Sequence, residues 1–238
     1  MRNNTAAKII ATLIVLVVAF IYMDRNNLFD PVVEAWEFAK GDSVPVDNPI
    51  DVDFDIEGLV ESVSDIEIGG PAEVDYDREG QFGRDWALDF DGNGCDTRND
   101  ILARDLQYPL IDDDGCTVLT GLLQDPFTGD HIDFTHGVDT SAAVQIDHIV
   151  PLRWAAAQGA LDWDEQTREE FANDPINLLA VDGPTNEAKG ANGPGDWMPP
   201  NSAFHCDYAA AFVNVVQIYD LTMPAHDLDA AHQTLQRC

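Results

Sequence analysis

Asp147 and His148 are neighbours in the chain, a pairing that sets a hard oxygen ligand beside an imidazole. They lie in Gln145-Ile146-Asp147-His148-Ile149-Val150-Pro151-Leu152, which reads as a strand stopped by Pro151. Adjacent strand residues point to opposite faces, so both side chains reach one site only where the strand ends or kinks. Asn177 precedes a second apolar run, Leu178-Leu179-Ala180-Val181. From there its amide oxygen would accept from an imidazole N–H and fix the tautomer of His148. Asn186 opens a short helix about one hairpin later, where its amide oxygen would join Asp147 on a divalent cation. Lys189 follows three residues on, on the same helical face, and would meet a phosphate. The chemistry open to such a set is hydrolysis, with the imidazole taking a proton from water and a cation stabilising the leaving oxygen.

The elements that must position these groups are mixed. Strands are expected at residues 116–122, 131–134, 143–150 and 178–181, the first two flanking the turn Asp125-Pro126-Phe127-Thr128-Gly129. Helical spacing marks residues 99–106, 154–160, 164–172, 208–219 and 228–235. Strands and helices without regular alternation predict an α+β fold.

Further residues join the Asp147-His148 core in a recognisable order. They are Phe82-Gly83-x-x-Trp86, Gly94-Cys95-Asp96-Thr97-Arg98-Asn99, the Asp125 to Gly129 turn, Asn173-Asp174-Pro175-x-Asn177-Leu178-Leu179, Asn186-x-x-Lys189 and Trp197-x-Pro199-Pro200. With this series the sequence resembles the HNH (His-Me finger) endonucleases, in the group related to the C-terminal domain of GmrSD-type restriction enzymes. The resemblance covers about residues 76 to 238, with Asn186 where other members carry His. It implies a ββα-metal nuclease core with added helices and short strands. It also implies that His148 activates water and that one divalent ion, Mg²⁺ or alternatively Mn²⁺, sits on Asp147 and Asn186. Asn177 would orient His148 and hold its loop, and Lys189 and Arg98 would contact phosphate, Arg98 through its bidentate fork. The substrate implied is nucleic acid, DNA in the first place.

A second ion site is suggested by the spacing of a calcium loop from Asp89 to Asp100. Asp89, Asp91 and Asn93 stand at its first, third and fifth positions, Gly94 at the sixth, Cys95 offers a backbone carbonyl at the seventh, and Asp100 closes it. Asp100 is shorter than the usual Glu, and Asp96 stands where an apolar residue is usual. The alternative is a polar turn capping a helix that begins near Thr97 or Asn99. A calcium ion here would be structural.

The charge balance opposes a nucleic-acid substrate. A formal net charge of −32, with only three lysines and nine arginines, lacks the basic surface that phosphate binding ordinarily uses. A bound cation would supply positive charge locally, and substrate binding at low salt without divalent cations is expected to be weak. The acidity itself points first to salty or cation-rich surroundings.

At the N-terminus an apolar run from Ile9 to Met23 follows Arg2 and Lys8, with no small-residue cleavage site. Residues 1–25 are expected to form a membrane-type helix, a signal-anchor in preference to a signal peptide, with the N-terminus inside. The domain would then lie outside the cytoplasm, tethered to the cell membrane or, if the segment is cleaved, secreted. Residues 26–75 are expected to be an acidic, flexible spacer: between Asp42 and Glu79 there are thirteen acidic residues and one basic one. The alternation Val52-Asp53-Phe54-Asp55-Ile56 would allow one short strand there. Four cysteines without a C-x-x-C pair exclude a zinc knuckle. Pairing of neighbours, Cys95 with Cys116 and Cys206 with Cys238, is expected in an oxidising compartment, against four unrelated thiols.

Two other functions fit parts of this sequence. One is an acidic calcium-binding surface protein that keeps the HNH unit as a non-catalytic scaffold. The other is an HNH domain that binds a protein partner through its acidic face. The intact set of Asp147, His148, Asn177 and Asn186 favours the nuclease.

Overall fold

The computed structural model describes residues 54–70, 73–84, 86, 92–137 and 141–238. The expected membrane-type helix and the first part of the expected spacer lie outside these residues. Among the described residues no helix is long and apolar enough to cross a membrane.

Residues 54–70 were expected in the spacer but are folded. The Asp55 carboxylate accepts from the Gly58 N–H at 3.0 Å and caps helix α1 (Ile56–Ser62), so the alternation around Phe54 opens a helix and not a strand. Leu59 and Val63 enter the main core, and β1 (Ile68–Gly69) pairs in parallel with residues near the C-terminus. The acidic residues between them all face solvent. Composition alone therefore suggests a spacer, although the inward positions are apolar.

Helix α2 (Arg78–Phe82) buries Phe82 against Phe171, and α3 (Thr97–Asp105) begins at Asp96, whose carboxylate accepts from the Asn99 N–H at 2.9 Å. The chain then enters β2 (Leu106–Ile111), which with β3 (Val118–Gln124) and β4 (His131–Thr135) forms an antiparallel sheet in the order β2-β3-β4. β2 is absent from the sequence expectation for a physical reason. Pro109 lies inside it, Tyr108 has a positive φ of 52°, and its register shifts between Gln107 and Leu110. Such a strand is confined to a sheet edge, and β2 lies at one.

β5 (Val144–His148), α4 (Leu152–Ala157) and α5 (Glu165–Asn173) lead to β6 (Leu178–Asp182) and α6 (Gly183–Lys189). α7 (His205–Ile218), β7 (Met223–Pro224) and α8 (Ala225–Leu235) follow. β5 and β6 pair antiparallel, with Asp147 opposite Leu179 and His148 opposite Leu178, and α6 leaves β6 directly. A Cβ on Gly183 would stand 2.2 Å from the Ala142 carbonyl oxygen, so only glycine lets this turn close over the start of β5. The arrangement is α+β, as expected.

β6 separates two apolar clusters. Leu178 and Ala180 pack with Ile101, Leu102, Phe134 and Ile146 on one side, and Leu179 and Val181 join the helical core containing Ile149 and Phe212 on the other. A strand buried on both faces must be apolar at every position, and these four residues are.

Disulfides join Cys95 to Cys116 and Cys206 to Cys238, the expected neighbour pairing. Their sequence separations of 21 and 32 close moderate loops. On loop entropy each contributes about 3–4 kcal/mol by restricting the unfolded chain. Replacing Cys206 and Cys238 by Ser is expected to lower stability by about that amount, measured by guanidinium unfolding. An unchanged midpoint would show that the bridge constrains nothing.

Candidate active site

β5 ends at His148, and the chain beyond it is clamped to the entrance of β6. The Ile149 N–H donates to the Asn177 carbonyl at 2.8 Å, and the Val150 N–H donates to Asn177 Oδ1 at 2.8 Å. Asn177 Nδ2 donates back to the Val150 carbonyl at 3.3 Å. Asn177 thus ties the loop to the entrance of β6, but it does not fix the tautomer of His148. That role falls to the Ala172 carbonyl, 2.9 Å from His148 Nε2. A carbonyl only accepts, so Nε2 carries the hydrogen and Nδ1 is left with the basic lone pair. Trp86 lies parallel to the imidazole, with ring centroids 5.8 Å apart and planes within 5°. Burial pushes the His148 pKa down to about 3; the bond to Ala172 opposes this, and the nearby charges of Arg78 and Lys189 add to it. The ring is therefore neutral across the ordinary pH range, with Nδ1 unprotonated.

Asp147 and Lys189 form a buried ion pair at 2.5 Å. Lys189 was expected at a phosphate, but its side chain is completely buried. Its ammonium donates to Asp147 Oδ2, to the His148 carbonyl at 2.8 Å and to the Ile149 carbonyl at 3.0 Å, which uses all three of its hydrogens. Phe127 and Tyr208 close over it, their ring centroids 5.8 and 5.6 Å from Nζ. Burial pushes the Asp147 carboxyl up and the Lys189 ammonium down, and their attraction opposes both shifts. Three acceptors around one nitrogen fit the charged pair.

Asp147, His148 and Asn186 line one cavity of about 300 Å³. Asn186 Nδ2 donates to Gln145 Oε1 at 2.9 Å, which orients the amide. Neither Asp147 Oδ1 nor Asn186 Oδ1 has a hydrogen-bond partner among the described residues. One anionic and one neutral hard oxygen beside an imidazole suit a Mg²⁺-type ion that keeps several waters. The cavity also brings in Tyr76, Arg78 and Arg153, which the sequence reading did not single out. Arg153 is two residues past Pro151, so its closeness to the motif was a usable signal. Arg78 is far off in sequence and reaches the cavity only through the fold. Arg98 is not among the lining residues; its guanidinium donates to the Val144 carbonyl at 3.1 Å and supports the start of β5.

The remaining motif residues build supports. Asp125 is fully buried and accepts from the Thr128 N–H at 2.8 Å and the Asp182 N–H at 2.9 Å, joining the turn to the end of β6 and seating Phe127 against Lys189. Asn173 accepts from the Thr97 hydroxyl at 3.0 Å, and Asp174 from the Tyr219 hydroxyl at 2.7 Å. In the expected calcium loop, Asp89 and Asp91 lie outside the described residues. Asn93 Nδ2 donates to Asp100 Oδ1 at 2.9 Å, the Cys95 N–H donates to Asn93 Oδ1 at 2.7 Å, and Asp96 caps α3.

The antiparallel β5-β6 pair followed by α6, with an imidazole, a carboxylate and an amide oxygen gathered at one cavity, defines a His-Me finger domain of the HNH type. The chain belongs to the family of GmrSD restriction endonucleases, C-terminal domain, which matches residues 96–224. It is also similar to an uncharacterized secreted protein of Arthroderma benhamiae, with 35% identity over 146 residues, 60% of this chain and 68% of the relative. No solved structure matches it significantly. The family is one of nucleases, and the two disulfides fit an extracellular protein.

Replacing Lys189 by Met would leave Asp147 buried without its counter-charge and is expected to destabilise the protein by about 3–5 kcal/mol, read by denaturant unfolding. Adding Asp147→Asn should recover part of that loss. A Lys189→Met protein as stable as the wild type would remove the ion pair from its structural role.

Proposed function

We propose that the chain is a divalent-cation-dependent endonuclease that hydrolyses phosphodiester bonds in nucleic acid, DNA in the first place. The observation that carries this reading is His148, a neutral imidazole whose Nε2–H is taken by Ala172, on the wall of the cavity that Asp147 and Asn186 line. His148 Nδ1 takes the proton of the attacking water. The Ala172 carbonyl holds the ring while its charge rises, and Asn177 keeps the loop from shifting. Asp147 and Asn186 are the residues to hold Mg²⁺, or Mn²⁺, with Asp147 fixed through its other oxygen by Lys189. When bound, the cation supplies positive charge at the phosphate and stabilises the departing oxygen. Arg78 and Arg153 offer forked donors for phosphate oxygens at the same cavity. The setting proposed is outside the cytoplasm, at the cell membrane or secreted.

Plasmid DNA incubated with the disulfide-intact protein should be nicked in Mg²⁺ or Mn²⁺ and left whole in EDTA. His148→Ala is expected to slow cleavage by about 10²–10⁴-fold. No cleavage by folded protein in either metal would favour the scaffold role with calcium binding instead. The pH profile offers a separate check. A base must be deprotonated to act, and His148 loses its proton at about 3, so kcat/KM should have no acid limb near 6.5. A limb at the ordinary histidine value would show that the active imidazole is solvated.

A further inference from the structure

A second cavity, of about 380 Å³, adjoins the first and shares Arg153 and Ala191 with it. The two differ in chemistry. The first carries Arg78 and Arg153 beside His148, whereas the second is walled by Val74, Trp154 and Ala157, with Glu73 as its acidic group. A carboxylate and an apolar wall disfavour a phosphate and suit a sugar and base, whose hydroxyl and amino groups donate. The volume is within the range of about 300–1,000 Å³ usual for small-ligand sites.

Arg153 stands at the junction of the two cavities. It is exposed and makes no ion pair or hydrogen bond among the described residues. Several other basic groups are engaged with the protein: Arg104 with Asp105 and the carbonyls of Pro175 and Leu178, Arg168 with the carbonyls of Gln81 and Trp163, and Lys189 as described, while the exposed Arg84 lines neither cavity. In a protein of net charge −32, an arginine kept in solvent between a catalytic cavity and an apolar one has a polyanion as its natural partner.

We propose that the second cavity seats a nucleoside flanking the scissile phosphate, with Arg153 holding the backbone phosphate between the two cavities. This rests on the nuclease reading for the first cavity and adds a substrate class. A nucleoside seated in a recess leaves its stack, so the preferred substrate is single-stranded or locally opened nucleic acid.

The test is binding of a fluorescent oligodeoxycytidylate, whose bases carry amino donors, by anisotropy across a salt series in Mg²⁺, to the full chain carrying His148→Ala so that no cleavage intervenes. Adding Arg153→Gln should weaken binding and reduce the slope of log affinity against log salt by about 0.7, the value for one single-strand phosphate contact. Adding Ala157→Leu, which narrows the second cavity, should weaken binding about tenfold with the slope unchanged. A blunt duplex of equal length should bind more weakly than the single strand. Absence of oligonucleotide binding, an unchanged slope in Arg153→Gln, or equal duplex binding would overturn the proposal. So would unchanged affinity in a folded Ala157→Leu protein. The two readings fail separately. Wild-type protein that cleaves nothing while the Arg153-dependent slope is present removes the hydrolytic reading and leaves the subsite. Cleavage of plasmid with the slope and affinity unaltered removes the subsite and leaves the nuclease.

Discussion

The Lys189 ammonium, enclosed among Asp147 Oδ2 and the carbonyls of His148 and Ile149, joins the end of α6 to the end of β5 and so fixes how the site is assembled. Taking an ammonium out of water costs several kcal/mol even after relaxation, so its acceptors and the two ring faces must be in place before the fold is stable. The same contact divides the labour of Asp147. One carboxylate oxygen is held inside by the lysine, and the other is left toward the cavity with Asn186. An apolar pair of equal volume would offer no oxygen to the cavity and would not draw the two carbonyls after Asp147 to one point.

The acidic composition takes on a different meaning once the basic groups are located. Arg98, Arg104 and Arg168 each reach a backbone carbonyl, where a forked donor satisfies strand ends and helix ends. These three guanidiniums are thereby engaged with the backbone, whereas Arg78 and Arg153 line the cavity. At physiological ionic strength exposed charges act over about 8 Å, so two arginines at the site matter more there than distant carboxylates do. A net charge is a poor guide to a site smaller than the screening length.

Much of the site was legible because its residues sit in short ordered motifs. Asp147 and His148 are adjacent at a strand end marked by Pro151, and Asn186 stands on the helix that directly follows the partner strand, so short motifs placed them together although two helices separate the strands. Lys189 was misread because spacing gives a helical face but not what covers it; Phe127 and Tyr208, distant in sequence, close that face. The tautomer of His148 was assigned to Asn177 since a side-chain amide is visible in sequence, whereas the Ala172 carbonyl that holds it is a backbone group every residue carries. Arg78 was hidden in an acidic stretch, and α1 was masked by the charges on its outer face. β2 escaped because an irregular edge strand lacks the alternation of a regular one.

The position of β6 between two cores has a consequence for how this domain can vary. Its alternate residues are shared walls, so a change of shape at Leu178, Leu179, Ala180 or Val181 is transmitted to one cluster or the other with no solvent face to absorb it. The two halves of the domain then open together, since neither keeps a closed interior once the partition moves. Substitution is costly along this strand and better tolerated at exposed positions of the cavity rim such as Arg153. A rigid partition beneath an adjustable rim lets the rim change its shape while Asp147 and His148 stay where they are.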